Sequence, residues 1–261
     1  KINRKILVVG IDGFRSDAMQ ESVTPFMYSL TQHSNAYYNL THNTEGITYS
    51  GPNWSSMLTG VHMDKHNVTD NSFDGRNYDN YPSFFYYIEQ ASKNINTASI
   101  VNWTPINYYT LSNQADLVPL ESMNDAEVFE YAKNILEDKN NVNPDILFLQ
   151  FDELDGSGHS YGFHSLVPEY TNTANILDSY AQELFNIIEN RRANGEDWLY
   201  FIISDHGGEG TSHSDASDPN INQTIFFAQH PELPFKASCC YVSSQVDLAP
   251  TILDFIGISS S

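Results

Sequence analysis

Short, nearly unbroken apolar runs recur along the chain, at residues 6–11, 98–101, 146–151, 199–203 and 224–228. Their length suits strands, and the lack of polar alternation means that both faces of each strand are buried. Between them lie longer segments in which apolar positions return every three or four residues, at 125–139 and 174–192. That spacing predicts amphipathic helices. Thr24-Pro25 and the stretch from Asp247 to Pro250 look like helix starts with Pro in the first turn. Residues 64–79 and 207–222 are dense in Asn, Asp, Gly and Ser and read as loops. Strands alternating with helices predict an α/β fold, with a mostly parallel central sheet sandwiched between helices. No repeat, low-complexity tract or linker divides the sequence, so one domain over 1–261 is expected.

Three of the strand runs end on an acidic residue. Asp12 follows the first, Asp155 lies just past the run at 146–151, and Asp205 comes two residues after the run at 199–203. Ligands of open α/β sheets bind beyond the carboxyl ends of the strands, so these carboxylates are expected to converge. Without a counter-charge they would repel one another and raise each other's pKa values. Histidines accompany two of them: His159 four residues after Asp155, His206 directly after Asp205, and His213 seven residues further on. A mixed Asp/His set suits zinc and similar divalent metals, whereas calcium or magnesium would draw almost entirely on oxygen. Gly156, Gly158, Gly207, Gly208 and Gly210 read as glycines that let loops fold around an ion.

In residues 50–60, Pro52 fits the first helical position and Gly60 the left-handed residue that ends a helix. Ser50 is then expected just before a helix N-terminus. There it serves either as a cap or as a nucleophile whose alkoxide the free N–H groups favour.

Taken together, GIDGFRSD (10–17), SGPNWSSMLTG (50–60), DKHNVTDN (64–71), DELDGSGHSYG (152–162), SDHGGEGTSH (204–213) and VDLAPTILDFIG (246–257) resemble the alkaline phosphatase superfamily. The resemblance is to its nucleotide pyrophosphatase/phosphodiesterase-like (type I phosphodiesterase) branch. It implies an alkaline phosphatase-like fold and a metal-dependent hydrolase of phosphate esters, with two divalent ions, zinc in most relatives and manganese or iron in some. It implies that Asp12, Asp205 and His206, with Ser50, hold one ion, and that Asp155, His159 and His213 hold the other. Ser50 would be the nucleophile, passing through a phospho-serine, and Asn71 would contact a phosphate oxygen as in phosphodiesterase relatives. Trp54 stands where sulfatases carry Arg, which disfavours a sulfatase. Gly51 replaces an aromatic residue that stacks bases in nucleotide-cleaving relatives, although Trp54 or Trp103 could offer another stacking face. Arg15 and Arg76 are available in loops, but the Arg and third-metal ligands of phosphomonoesterases have no clear counterpart. A phosphomonoesterase, a phosphonate hydrolase and a non-catalytic metal-binding relative are the alternatives to a phosphodiesterase.

Charge and composition narrow the partners. A net charge of −21 repels nucleic acid duplexes and anionic membranes, so the expected partner is a small phosphate ester drawn in by bound cations. No apolar run reaches the ~20 residues of a membrane span. The sequence begins at Lys1 rather than Met, which leaves room for an export signal, and relatives with this pattern are often periplasmic or secreted. Adjacent Cys239 and Cys240 read as small apolar residues and not as a disulfide. His62 and His66 read as structural, and His33, His42, His164 and His230 as surface or pocket-rim residues. Asn53 begins one of five Asn-x-Ser/Thr sequons, at 39, 53, 67, 102 and 222, but its place in the helix makes that match a coincidence.

Overall fold

The computed structural model describes residues 4–33, 35–112, 114–138, 142–233 and 242–259. Six strands form one sheet: β1 (Arg4–Ile11), β2 (Ala36–Asn43), β3 (Thr97–Val101), β4 (Ile146–Phe151), β5 (Asp197–Ile203) and β6 (Gln223–Gln229). Their spatial order is β2-β6-β5-β1-β4-β3. The pairs β1–β4, β1–β5 and β3–β4 are parallel, while β6 runs antiparallel to both β5 and β2. The helices are α1 (Pro25–Leu30), α2 (Ser50–Thr59), α3 (Met63–His66), α4 (Phe84–Ala91), α5 (Asp125–Leu136), α6 (Glu153–Tyr161), α7 (Pro168–Ala193), α8 (Pro219–Asn222) and α9 (Leu248–Ile256).

Alternation along β1 divides the core. Leu7, Val9 and Ile11 face one layer, built from α1, α5 and α7 through residues such as Met27, Val128 and Leu184. Ile6 and Val8 face the other, where α2, α4 and α9 contribute Trp54, Phe84 and Ile252. A strand covered on both faces reads as a continuous apolar run, which is why all five runs found in the sequence lie within strands.

Where the structure departs from the sequence reading, exposure or glycine accounts for it. Strand β2 is half exposed at the sheet edge, with a register shift between Asn39 and His42, and carries no clean apolar pattern. Helix α7 begins at Pro168, earlier than expected, because its first turns are polar. Residues 153–161, read as loop on account of Gly156 and Gly158, form α6. Ser50 is the first residue of α2, with Tyr49 as the preceding cap, so Pro52 is the third helical residue and not the first; Gly60 ends the helix at φ 71° as expected. His42 and His230 are buried, not at the surface or a rim. The His42 ring bonds Ser243 and Gln245, and His230 bonds Asp197. Asn53 is fully buried, its amide bonded to Glu45, Ile47 and Tyr49, in keeping with the reading of its sequon as a coincidence. Cys239, Cys240 and the end of the expected helix at Lys139 lie outside the described residues. Among the described residues no helix is long and apolar enough to cross a membrane.

At the amino ends of β1 and β4, buried Lys5 pairs with buried Asp145, whose other carboxylate oxygen accepts the Asn96 N–H at 2.9 Å. Removing one member of such a pair strands the other charge in the core. Lys5→Met is therefore expected to lower the unfolding free energy in urea by about 3–5 kcal/mol. A loss below about 1 kcal/mol would show that Asp145 is effectively solvated.

Candidate metal centre

The carboxyl ends of β1, β4 and β5 deliver the acidic residues to one place. The Asp12 N–H continues the β1–β4 ladder by donating to the Phe151 carbonyl at 2.9 Å, which fixes Asp12 at the sheet edge. Its Oδ1 lies 3.4 Å from both Ser50 Oγ and His206 Nε2. Its Oδ2 accepts the Trp54 indole N–H at 2.9 Å and the Gln150 amide at 3.2 Å. Asp205 Oδ1 accepts the Gly13 N–H at 3.2 Å, and its Oδ2 stands 3.3 Å from His206 Nε2.

Asp155 arrives on a helix, not on the expected loop. Helix α6 starts immediately after β4, and its first turn is held by buried Asp125, which accepts the Asp152 and Glu153 N–H groups at 2.8 and 3.0 Å. One helical turn separates Asp155 from His159, so both project on the same face, with His159 Nε2 3.3 Å from Asp155 Oδ2. His213 Nε2 reaches Asp155 Oδ1 at 3.9 Å from the loop after β5. Two of the five glycines expected in ion-wrapping loops, Gly158 and Gly208, instead seat an aromatic ring. A Cβ at Gly158 or Gly208 would lie 2.3 or 2.2 Å from the Phe163 ring, which wedges between α6 and the His213 loop.

The imidazoles share one arrangement. In His159, His206 and His213, Nδ1 lies 2.9, 2.8 and 2.7 Å from the carbonyls of Thr211, Gly207 and Thr48 respectively. A carbonyl can only accept, so Nδ1 carries the proton, and in the neutral ring Nε2 presents a bare lone pair. Each lone pair faces carboxylate oxygens. Lone pair against anion is repulsive unless a proton or cation lies between them, and this is the outer support found behind metal-ligating histidines.

The carboxylates show the same deficit. Among the described residues, the buried oxygens Asp155 Oδ1 and Asp205 Oδ2 have no hydrogen-bond partner. Burial, reinforced by Asp205, Asp152 and Asp155, holds the Asp12 carboxyl well above the usual range. Burial and then Asp155 do the same to Asp205, and burial pushes Asp152 up to about 6. Burial also pulls Asp155 upward but is outweighed by the His159 hydrogen bond and the nearby imidazoles, leaving that group low. The same bond pushes His159 up to about 9, while burial pushes His213 down to about 4. Two triples, Asp155–His159–His213 and Asp12–Asp155–His206, place their ligand atoms within 4.8 Å of one another and could each hold a metal ion. The resemblance had grouped Asp205, not Asp155, with Asp12 and His206; here Asp155 belongs to both triples and Asp205 adjoins the second.

Around this centre, Asn71 Oδ1 accepts the Gly51 N–H at 2.8 Å, next to Ser50, leaving the exposed Asn71 amide Nδ2 for another acceptor. A Cβ at residue 51 would stand 2.8 Å from the Asp70 carbonyl and 3.0 Å from Asn71 Oδ1, so glycine there allows the contact. Trp54 is fully buried and offers no stacking face. Arg15 is also buried, committed to Asp17, Glu209 and two backbone carbonyls. Asp125, Gln150 and Asp152 were not singled out in the sequence. Gln150 carried a signal, as the one polar residue in the run at 146–151.

The chain is similar to known proteins in family and in fold. A family described as type I phosphodiesterase / nucleotide pyrophosphatase matches residues 6–235. No curated protein matches the chain in sequence. Among solved structures, an inactive variant of murine ectonucleotide pyrophosphatase/phosphodiesterase 5 in complex with AMP superposes with a TM-score of 0.74 at 14% identity, over 99% of this chain and 96% of that one. A lipoteichoic acid synthase from Listeria monocytogenes gives 0.72 at 14% identity, over 99% and 73%. A putative sulfatase from Bacteroides thetaiotaomicron gives 0.73 at 12%, over 98% and 71%. At these identities the likeness is one of fold, and the alkaline phosphatase-like architecture is the one observed. With the family match spanning most of its length, the chain belongs to the type I phosphodiesterase / nucleotide pyrophosphatase family of phosphoric ester hydrolases.

Proposed function

We propose that the chain is a single-domain phosphodiesterase acting on small phosphate esters through a covalent phospho-Ser50. The observation that carries this reading is the position of Ser50 Oγ, 3.4 Å from both Asp12 Oδ1 and His206 Nε2 and in front of the Asp/His centre. Ser50 opens α2, where the helix dipole favours negative charge on the nucleophile and on a phosphate. Asp12 Oδ1 and His206 Nε2 are equally near its hydroxyl, and either can take the proton as Oγ attacks. Attack by Oγ forms the Ser50–phosphorus bond as the leaving-group oxygen departs; water then attacks phosphorus from the opposite side and Ser50 is released. Asn71 is positioned to donate its free amide to a phosphate oxygen, an interaction that strengthens as charge builds there. Asp12, Asp205 and His206 with Ser50, and Asp155, His159 and His213, are the proposed ligands of two divalent ions. When bound, these ions, zinc in the first instance with manganese or iron as alternatives, would lower the Ser50 hydroxyl pKa and neutralise the charge of the substrate. We place the enzyme outside the cytoplasm, in keeping with the resemblance read from its sequence.

Ser50→Ala is expected to lower turnover of bis-p-nitrophenyl phosphate by more than roughly three orders of magnitude while metal content stays at the wild-type value. Substantial residual turnover would remove Ser50 from its role. Wild-type protein should cleave bis-p-nitrophenyl phosphate faster than p-nitrophenyl phosphate, and Asn71→Ala should cost about a hundredfold on the diester. A preference for the monoester would replace the phosphodiesterase reading with a phosphomonoesterase.

Metal binding should also release protons. The raised Asp12 and Asp205 and the raised His159, at about 9, mean that the metal-free centre holds protons at neutral pH that a cation must displace. Affinity is therefore expected to climb as pH rises toward 9 and to fall on acidification. Calorimetric zinc titrations of metal-stripped protein, in buffers of different ionisation enthalpy, should show a net release of about one proton or more per chain. Uptake, or no exchange at all, would contradict the assignment.

A further inference from the structure

We infer that Trp54 and Gln150 are positioning residues that dedicate Asp12 to the centre through a single oxygen. This rests on the metal assignment above and goes beyond it by giving the two oxygens of one carboxylate different tasks. Asp12 Oδ2 is saturated from behind by two N–H donors, the Trp54 indole at 2.9 Å and the Gln150 amide at 3.2 Å. Asp12 Oδ1 receives neither and looks the other way, toward Ser50 Oγ and His206 Nε2.

Both donors are held rigidly. Trp54 is fully buried in α2 and packs edge-on against Phe148 with ring centroids 5.8 Å apart, so its N–H has no freedom to turn away. Gln150 is fully buried near the end of β4, and its Oε1 accepts the Trp103 backbone N–H at 2.8 Å. A backbone N–H can only donate, so the amide cannot flip, and Nε2 is the end that faces the acids. Its two protons are both committed, one to Asp12 Oδ2 and the other to Asp152 Oδ1 at 3.0 Å. Gln150 thus ties the carboxylate at the end of β1 to the one that opens the α6 turn. Trp54 links the same carboxylate to the helix that carries Ser50. A carboxylate restrained in this way cannot rotate to offer both oxygens, and its Oδ1 stays aimed at the nucleophile.

The test removes each donor separately and reads metal binding, not turnover. Trp54→Phe keeps an aromatic ring and deletes the N–H; Gln150→Met keeps the length and deletes both amide protons. Zinc is titrated into metal-stripped full chain by calorimetry, and thermal unfolding of the metal-free forms is recorded alongside. The expected result is that one of the two zinc equivalents weakens by about 10–100-fold in each variant while the other is retained. That split is one that general loosening of the core would not produce. Wild-type affinity for both ions in either folded variant overturns the inference, as does equal weakening of both ions in step with lost thermal stability. If wild-type chain binds no zinc, manganese or iron, the metal assignment itself falls, a result distinct from these.

Discussion

Three carboxylates, buried Asp12 and Asp205 and half-buried Asp155, meet where β1, β4 and β5 end, and their mutual repulsion is the constraint around which the centre is arranged. Burial and neighbouring acids raise Asp12 and Asp205 together. Among the described residues no Lys or Arg side chain is placed to relieve them; Arg15, the nearest in sequence to Asp12, is committed to Asp17 and Glu209. What faces the acids instead is a set of imidazole nitrogens whose opposite sides are held by backbone carbonyls. Such an arrangement is costly as it stands and favourable once positive charge is supplied, which is the logic of a centre built to receive cations.

The helical layers serve this constraint from both sides of the sheet. On one face α2 presents Ser50 at its N-terminus and, one turn on, the Trp54 indole that braces Asp12. On the other, α6 is launched from β4 by the Asp125 cap and sets Asp155 and His159 one turn apart. Phe163 fills the space between α6 and the His213 loop, so the position of His159 depends on that of His213. Core packing and site geometry are therefore one problem. The Trp54 side chain is at once a large buried element of the second core layer and a donor to the centre.

The legibility of the fold follows burial. Strands covered on both faces appear in sequence as plain apolar runs, and their acidic ends were readable because a strand followed by Asp needs no tertiary information. Half-exposed β2 leaves no such trace. Helix α6 was obscured by Gly156 and Gly158, whose low helix propensity is overridden by the Asp125 cap and by the need for ring space at Gly158. The ligand candidates could be named from residue type, but the carbonyls of Thr48, Gly207 and Thr211 that set their tautomers could not. Backbone carbonyls carry no residue signature, and only the folded chain brings them to the rings.

Charge explains why such a centre can work in so acidic a molecule. Among the described residues, every Lys and Arg except Arg76 lies within ion-pair distance of a carboxylate. The Arg76 guanidinium instead stacks on Tyr109, 4.9 Å from its ring centre. The described residues thus hold almost no spare protein cation with which to bind an anionic ester. Attraction must come from the N-terminus of α2, the Asn71 amide and whatever cations the Asp/His centre holds. Two divalent ions, as proposed, would offset Asp12, Asp155, Asp205 and an ionised Ser50 and bring that centre close to neutral. A phosphate group entering it would meet donors and metal charge, while the surrounding acidic surface acts over distances that salt screens. Selectivity for phosphate is on this view a property of a few ångströms of structure, and the net charge of −21 does not oppose it.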